Sequence, residues 1–211
     1  MKSRLMKKVI SVVLKKHYPH LHLVLFLLTL IIASLVVFQL IPTPVSAQGV
    51  NEYDIPPCRW SKSPGQIKYL SYNWGPNLAP YPNALWRIAF QSSVSDWNNT
   101  STPFWLYETS SSSPKLDLDI YWQGGGSAGF AQPTCSGSTT THYAVRGNAV
   151  YYTGSSNYNR RRSVTGHELG HGHSVGHIDS TQIALLGYNP DPNVYYTPQS
   201  IDVQLIQQVY P

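Results

Sequence analysis

"GHELGHGHSVGH", Gly166 to His177, places four histidines and one glutamate within twelve residues. Past residue 47 the only other histidine is His142. His167 and His171 are four apart. On an α-helix both imidazoles then leave one face, about 6 Å apart along the axis. Two ring nitrogens at that spacing can reach one zinc ion at about 2 Å. Glu168 follows the first histidine directly, where its carboxylate can take a proton from a water activated by the metal. His177 lies six residues beyond His171. A helix cannot carry it to the same ion, but a turn after the helix can, and Gly170, Gly172 and Gly176 supply freedom for one. Three histidines and a water make the open tetrahedral site of a catalytic zinc. Such an ion lowers the pKa of its water towards about 7 and polarises a scissile carbonyl. Glu168 would take the water proton and pass it to the leaving amine. His173, rotated by about 200° from His171 on any helical path, points off the metal face. It is expected to be exposed or bonded to backbone.

Outward from this cluster, the pattern alternates short strands with a few helices. Ser163 to Gly172 reads as the helix carrying the motif, with Ser163 as its N-cap. The preceding Arg160-Arg161-Arg162 reads as a solvated loop. Ile67 to Trp74 alternates apolar and polar, as a strand does. Asn83 to Asn98 is a helix by the spacing of Leu85, Ile88, Ala89, Val94 and Trp97, with Pro82 at its start. Its last residue opens Asn98-Asn99-Thr100, which has the form of a glycosylation sequon. "LDLDIYW", Leu116 to Trp122, is a strand with one wet face. Ser127 to Gln132 and Asn148 to Thr153 are two further strand candidates, separated by a Gly/Ser/Thr loop. Ile183 to Pro198 is turn-rich. A last helix runs from about Ser200 to Val209. Strands and helices segregated along the chain in this way predict an α+β domain.

The 211-residue chain opens on an export signature: six basic residues with no acid, then an apolar run from Leu21 to Ile41, then Val45-Ser46-Ala47. This reads as a signal peptide over 1–47, cleaved after Ala47. Left uncleaved, an apolar run of roughly 20 residues would anchor the chain in a membrane with the remainder outside. The formal net charge of +5 belongs to this leader, because beyond it nine basic residues face ten acidic ones. The charge therefore gives no argument for nucleic-acid binding. Residues 48–65 read as an irregular lead-in, and 66–211 as one domain, expected to be a monomer. Cys58 and Cys135 are the only cysteines. In an exported chain they predict one disulfide.

The motif resembles the metzincin zinc peptidases, whose pattern is HExxHxxGxxH, and most closely their matrixin (matrix-metalloproteinase-like) branch. His167, His171 and His177 match its three ligands, and Glu168 its acid/base residue. Ala84 to Glu108 looks like the family's first helix and following strand, and "LDLDIYW" like the next strand. "GGSAGFAQP", Gly125 to Pro133, resembles the edge strand above the cleft, and "NAVYYT" the strand before the active-site helix. The resemblance covers about residues 66–211. It implies a small twisted mixed sheet with an active-site helix and a C-terminal helix. It also implies one catalytic zinc ion and hydrolysis of a protein or peptide laid along the edge strand Ser127–Gln132. Loop Tyr188–Pro198 would shape the pocket beside the zinc.

Two departures from the family pattern matter. Ser174 stands where metzincins have glycine, so that either Gly176 takes over the turn or Ser174 sits in a strained bend. The family's methionine beneath the zinc is absent, and by spacing Leu185 or Leu186 takes its place. If Leu186 is the equivalent, Tyr188 falls where other metzincin branches put a tyrosine near zinc, as a fifth ligand or oxyanion donor; the alternative is a loop tyrosine packed on the protein. Matrixins also carry a propeptide cysteine that blocks the zinc. Cys58 is a candidate for that role, although "PPCRWS" lacks the rest of the switch sequence. Asp-rich calcium loops are not visible, so a calcium requirement has no support in the sequence. The rival to an exported endopeptidase is an extracellular zinc-containing binding protein without turnover.

Overall fold

The computed structural model describes residues 56–78, 83–178 and 183–211. The leader, and with it the expected cleavage point, lies outside the described residues. Five strands and three α-helices form among them: β1 (Lys68–Trp74), α1 (Ala84–Asn98), β2 (Phe104–Glu108), β3 (Leu116–Tyr121), β4 (Gly129–Ser136), β5 (Thr139–Asn148), α2 (Tyr158–His171) and α3 (Ser200–Val209). The sheet order is β2-β1-β3-β5-β4. All neighbours are parallel except β4, which pairs antiparallel with β5 and forms one edge. This mixed, mostly parallel architecture is compatible with the α+β expectation. No helix among the described residues is long and apolar enough to cross a membrane.

One face of the sheet builds the core. Leu116, Leu118 and Ile120 alternate inward along β3, beside Leu70 and Tyr72 of β1 and Tyr143 and Val145 of β5. Tyr69, Trp105 and Tyr107 face outward, as the period of two requires. α1 buries Trp86, Ala89, Phe90, Ser93, Val94 and Trp97, a stripe at i, i+3, i+4, i+7, i+8 and i+11. The stripe is rotated from the one read in the sequence. Ile88 is exposed, and Trp86 packs on β5 at Gly147, where any Cβ would meet its ring. Asn98, at the end of α1, spends its side chain on both backbone groups of Leu106 in β2. A glycan on that nitrogen would break the bridge.

Two expectations for the chain between β3 and α2 are corrected. The Gly/Ser/Thr stretch is not a loop: it is a hairpin with Gly137 in the left-handed region, and β5 runs through Thr139–Asn148. Ala149 to Thr153 form turns rather than a strand. The alternation of Tyr143 and Val145 with His142, Ala144 and Arg146 carries the strand signal, and the small polar residues around it mask that signal. α2 begins at Tyr158, five residues before Ser163. Two of the three arginines before Ser163 are not solvated. Arg161 is buried and donates to the carbonyls of Tyr152 and Gly154, while Arg162 pairs with Asp96 of α1. Ser163 does not cap the helix; its hydroxyl donates to the Tyr195 carbonyl at 2.6 Å.

Residues 58–60 of the lead-in belong to the folded unit. Cys58 is disulfide-bonded to Cys135 of β4. Arg59 bridges to Thr139, and Trp60 enters the core. The Trp60 indole N–H donates to the Gly172 carbonyl at 2.8 Å, just past the end of α2.

Candidate metal centre

α2 lies against α1 through the Trp97 indole N–H, which donates to the Gly166 carbonyl at 2.8 Å, and through a Ser93–Thr165 hydroxyl pair. This anchors the helix lengthwise. His167 and His171 then project from the face opposite that contact, towards a cleft of about 780 Å³. β4 contributes Gly129, Phe130 and Ala131 to its wall, α2 contributes Val164 and Glu168, and the segment after the third histidine contributes Tyr188 and Pro190.

His167 Nδ1 lies 2.7 Å from the Leu185 carbonyl, and His171 Nδ1 lies 2.9 Å from the Val175 carbonyl. A carbonyl only accepts, so both rings carry their proton on Nδ1 and turn a lone pair on Nε2 inward. His177 brings its own Nε2 to the same point. The three Nε2···Nε2 separations are 3.1, 3.2 and 3.2 Å. Burial pushes the pKa of His167 down to about 4, with His177 adding to the effect and the Leu185 carbonyl opposing it. His171 is also lowered well below the usual histidine value, by burial first and then by both neighbouring rings, with the Val175 carbonyl opposing. With their protons on Nδ1, these two rings turn no N–H towards each other, and lone pairs this close repel. A shared cation would resolve the repulsion. Tetrahedral zinc bonded to nitrogen at about 2.0 Å needs ligand separations of about 3.3 Å, close to the triangle observed. Among the described residues this triad is the one group of metal-binding side chains that converges on a point.

Glu168 is buried beneath the backbone of β4. A Cβ at Gly129 would lie 2.7 Å from its Oε1, so glycine is what lets the strand pass over the carboxyl. Burial raises the Glu168 pKa to about 8. A divalent cation beside it would pull that value back down.

The turn between the second and third histidines bends at Ser174, with φ of 59°. Neither flanking glycine takes the left-handed position: Gly172 has φ of −57°, and Gly176 is not among the residues with positive φ. His173 turns away from the three converging rings, but it is neither exposed nor bonded to backbone, the two outcomes expected for it. Its ring is fully buried between Trp97 and Phe104, at 4.9 and 5.0 Å, and neither ring nitrogen has a hydrogen-bond partner. The bend sends it under the helix rather than outward.

Leu185 and Leu186 are both fully buried beneath α2, against Gly166 and Gly170. The Tyr188 ring stacks on His177 at 4.5 Å and 17°. The Cys58–Cys135 bond removes Cys58 as a thiol that could reach the histidines.

Sequence reasoning missed the groups that orient the ligands. The carbonyls of Leu185 and Val175 carry no sequence signal. Asp202 does, as an acid in the first turn of α3, where it forms a capping box with Gln199. Its carboxylate also accepts from the backbone N–H groups of Leu185 and Leu186, at 3.0 and 2.9 Å. It thereby fixes the turn whose carbonyl holds His167. Compared with known proteins, the chain matches no family model and no curated protein.

Proposed function

We propose that this protein is an exported zinc-dependent endopeptidase built on the metzincin plan, with the matrixin branch as its nearest likeness. The observation that carries the reading is the triangle of Nε2 atoms, with a buried carboxyl beside it, in a cleft bordered by an open strand edge. A structural zinc site is usually closed by four protein ligands. Here three converge on an open cleft, and Glu168 would be superfluous in a site that only held metal. The disulfide fits an oxidising compartment, in keeping with export.

His167, His171 and His177 would hold the ion. Bound there, zinc supplies Lewis acidity, lowering the pKa of a water and polarising a carbonyl. The remaining work falls to the chain. Leu185 and Val175 keep the Nδ1 protons in place and so fix the tautomers. β4 offers its outer edge to an extended peptide, which would add as a further strand. Glu168 accepts a proton from the attacking water and returns it to the leaving amine.

Purified protein should hold one zinc per chain and hydrolyse casein, with a chelator abolishing the activity and zinc restoring it. Glu168→Gln should lower turnover by about 10²- to 10⁴-fold, the usual share of a general base, while keeping the zinc. Near wild-type turnover in that variant, or a wild-type protein without zinc, overturns the reading.

A further inference from the structure

Ser174 is the one residue of the turn between His171 and His177 held at positive φ, and it is not glycine. Holding an L side chain there is strained in a way that glycine is not. Two glycines lie within two residues of it, so the chain has the means to avoid the strain and does not use them. What the serine supplies is its hydroxyl. The residue is fully buried, and Oγ lies 3.0 Å from Thr140 Oγ1 at the start of β5. Thr140 in turn donates to Cys58 Sγ at 3.2 Å. With that proton committed, Ser174 is the donor in the Ser174–Thr140 bond. The Ser174 hydroxyl thus ties the turn to β5 and, through Thr140, to the disulfide-bonded segment.

We infer that Ser174 is a positioning residue for the metal centre: its hydroxyl clamps the left-handed bend that sets Val175 against one ligand and delivers His177 to the other two. The Val175 carbonyl, one residue on, fixes the His171 ring, and His177 is three residues on. The Ser174 N–H closes the bend onto the His171 carbonyl at 2.7 Å. A glycine would adopt the same φ without strain but with far more freedom, and nothing would hold its position. The inference rests on the proposed zinc site.

The test compares wild type, Ser174→Gly and Ser174→Ala, with Val94→Ala as a core variant away from the turn. Zinc affinity is measured by competition with a chromophoric chelator, and ligand geometry by the visible absorption of the cobalt(II)-substituted proteins. Both Ser174 variants should bind zinc at least tenfold more weakly and show altered cobalt bands, whereas Val94→Ala keeps both at wild-type values. Wild-type zinc affinity and cobalt spectra in both Ser174 variants overturn the inference and leave the zinc reading standing. A wild-type protein that binds no zinc overturns both. Equal losses in Val94→Ala would show a general effect of stability and also overturn it.

Discussion

His173 is chemically the same residue as its three neighbours and is set apart by its surroundings. Burial pushes its pKa down to about 4, with the Gly170 carbonyl opposing without reaching hydrogen-bond geometry at either ring nitrogen. An unfolded chain protonates this ring at about 6.5. Between those values the unfolded state binds a proton that the folded state refuses. The histidine's contribution is therefore fully present above about pH 6.5 and is lost as pH falls through about 4, a change of about 3 kcal/mol. His173→Phe keeps a ring between Trp97 and Phe104 and removes the two orphaned nitrogens. In denaturant unfolding of the metal-free proteins, it should be more stable at neutral pH by about 1–2 kcal/mol. It should also lose less stability between pH 6.5 and 4; parallel pH profiles for the two proteins would contradict this account. The motif's spacing already separates His173 from the ligands, because direction on a helix is set by residue count. Its burial was not legible, because that depends on where the bend at Ser174 sends the chain, and on Trp97 and Phe104, which lie about 70 residues earlier.

At the scale of elements, the glycines of α2 weaken its intrinsic propensity, yet the helix needs one of them. A Cβ at Gly170 would lie 2.5 Å from Leu186 Cδ2 and 2.9 Å from the Trp97 ring; at Gly166 the nearest atom is Leu185 Cδ2 at 3.1 Å. The helix gains up to about 1 kcal/mol from alanine in place of glycine. At position 170 overpacking between a leucine and a tryptophan outweighs that, so Gly170→Ala should cost about 1–3 kcal/mol net. Gly166→Ala, which meets only the end of one leucine, should stay within about 1 kcal/mol of wild type. Urea midpoints decide between them, and a stabilised Gly170→Ala protein would show that Leu186 yields more readily than its burial implies. β1, β3 and α3 were legible because alternation or helical spacing marks their buried faces, and α1 was legible as a helix although its buried face is rotated from the one its spacing suggested. The start of α2 was not, because charge reads as solvation until the partners of Arg161 and Arg162 are known. β5 was missed because threonine and glycine serve turns and strands alike.

For the whole molecule, the disulfide closes a separation of 77 residues. Removing a bond across so long a loop costs about 2–5 kcal/mol. Replacing both cysteines by serine should lower stability by that amount without raising peptidase activity, as read by thermal unfolding and casein hydrolysis. A rise in activity would restore the rival role of Cys58 as a blocking thiol. The pairing could be read from cysteine count and export. That it ties the lead-in to β4, next to Trp60 and the end of α2, could not.

The sheet edge formed by β4 carries a further consequence. The Tyr143 N–H donates to Lys115 on the β3 side, and the Asn148 N–H donates to Ala128 on the β4 side. Antiparallel alternation then places the pairs at 129, 131 and 133 with their backbone groups turned outward. Pro133 has no N–H to offer, and the register breaks between Thr134 and Cys135. Only Gly129 and Ala131 can donate from this part of the edge. Two donors are enough to seat a short extended segment. They are too few to template a second copy of the whole strand, so the same edge that stays open to a guest resists growing into a stack of its own kind.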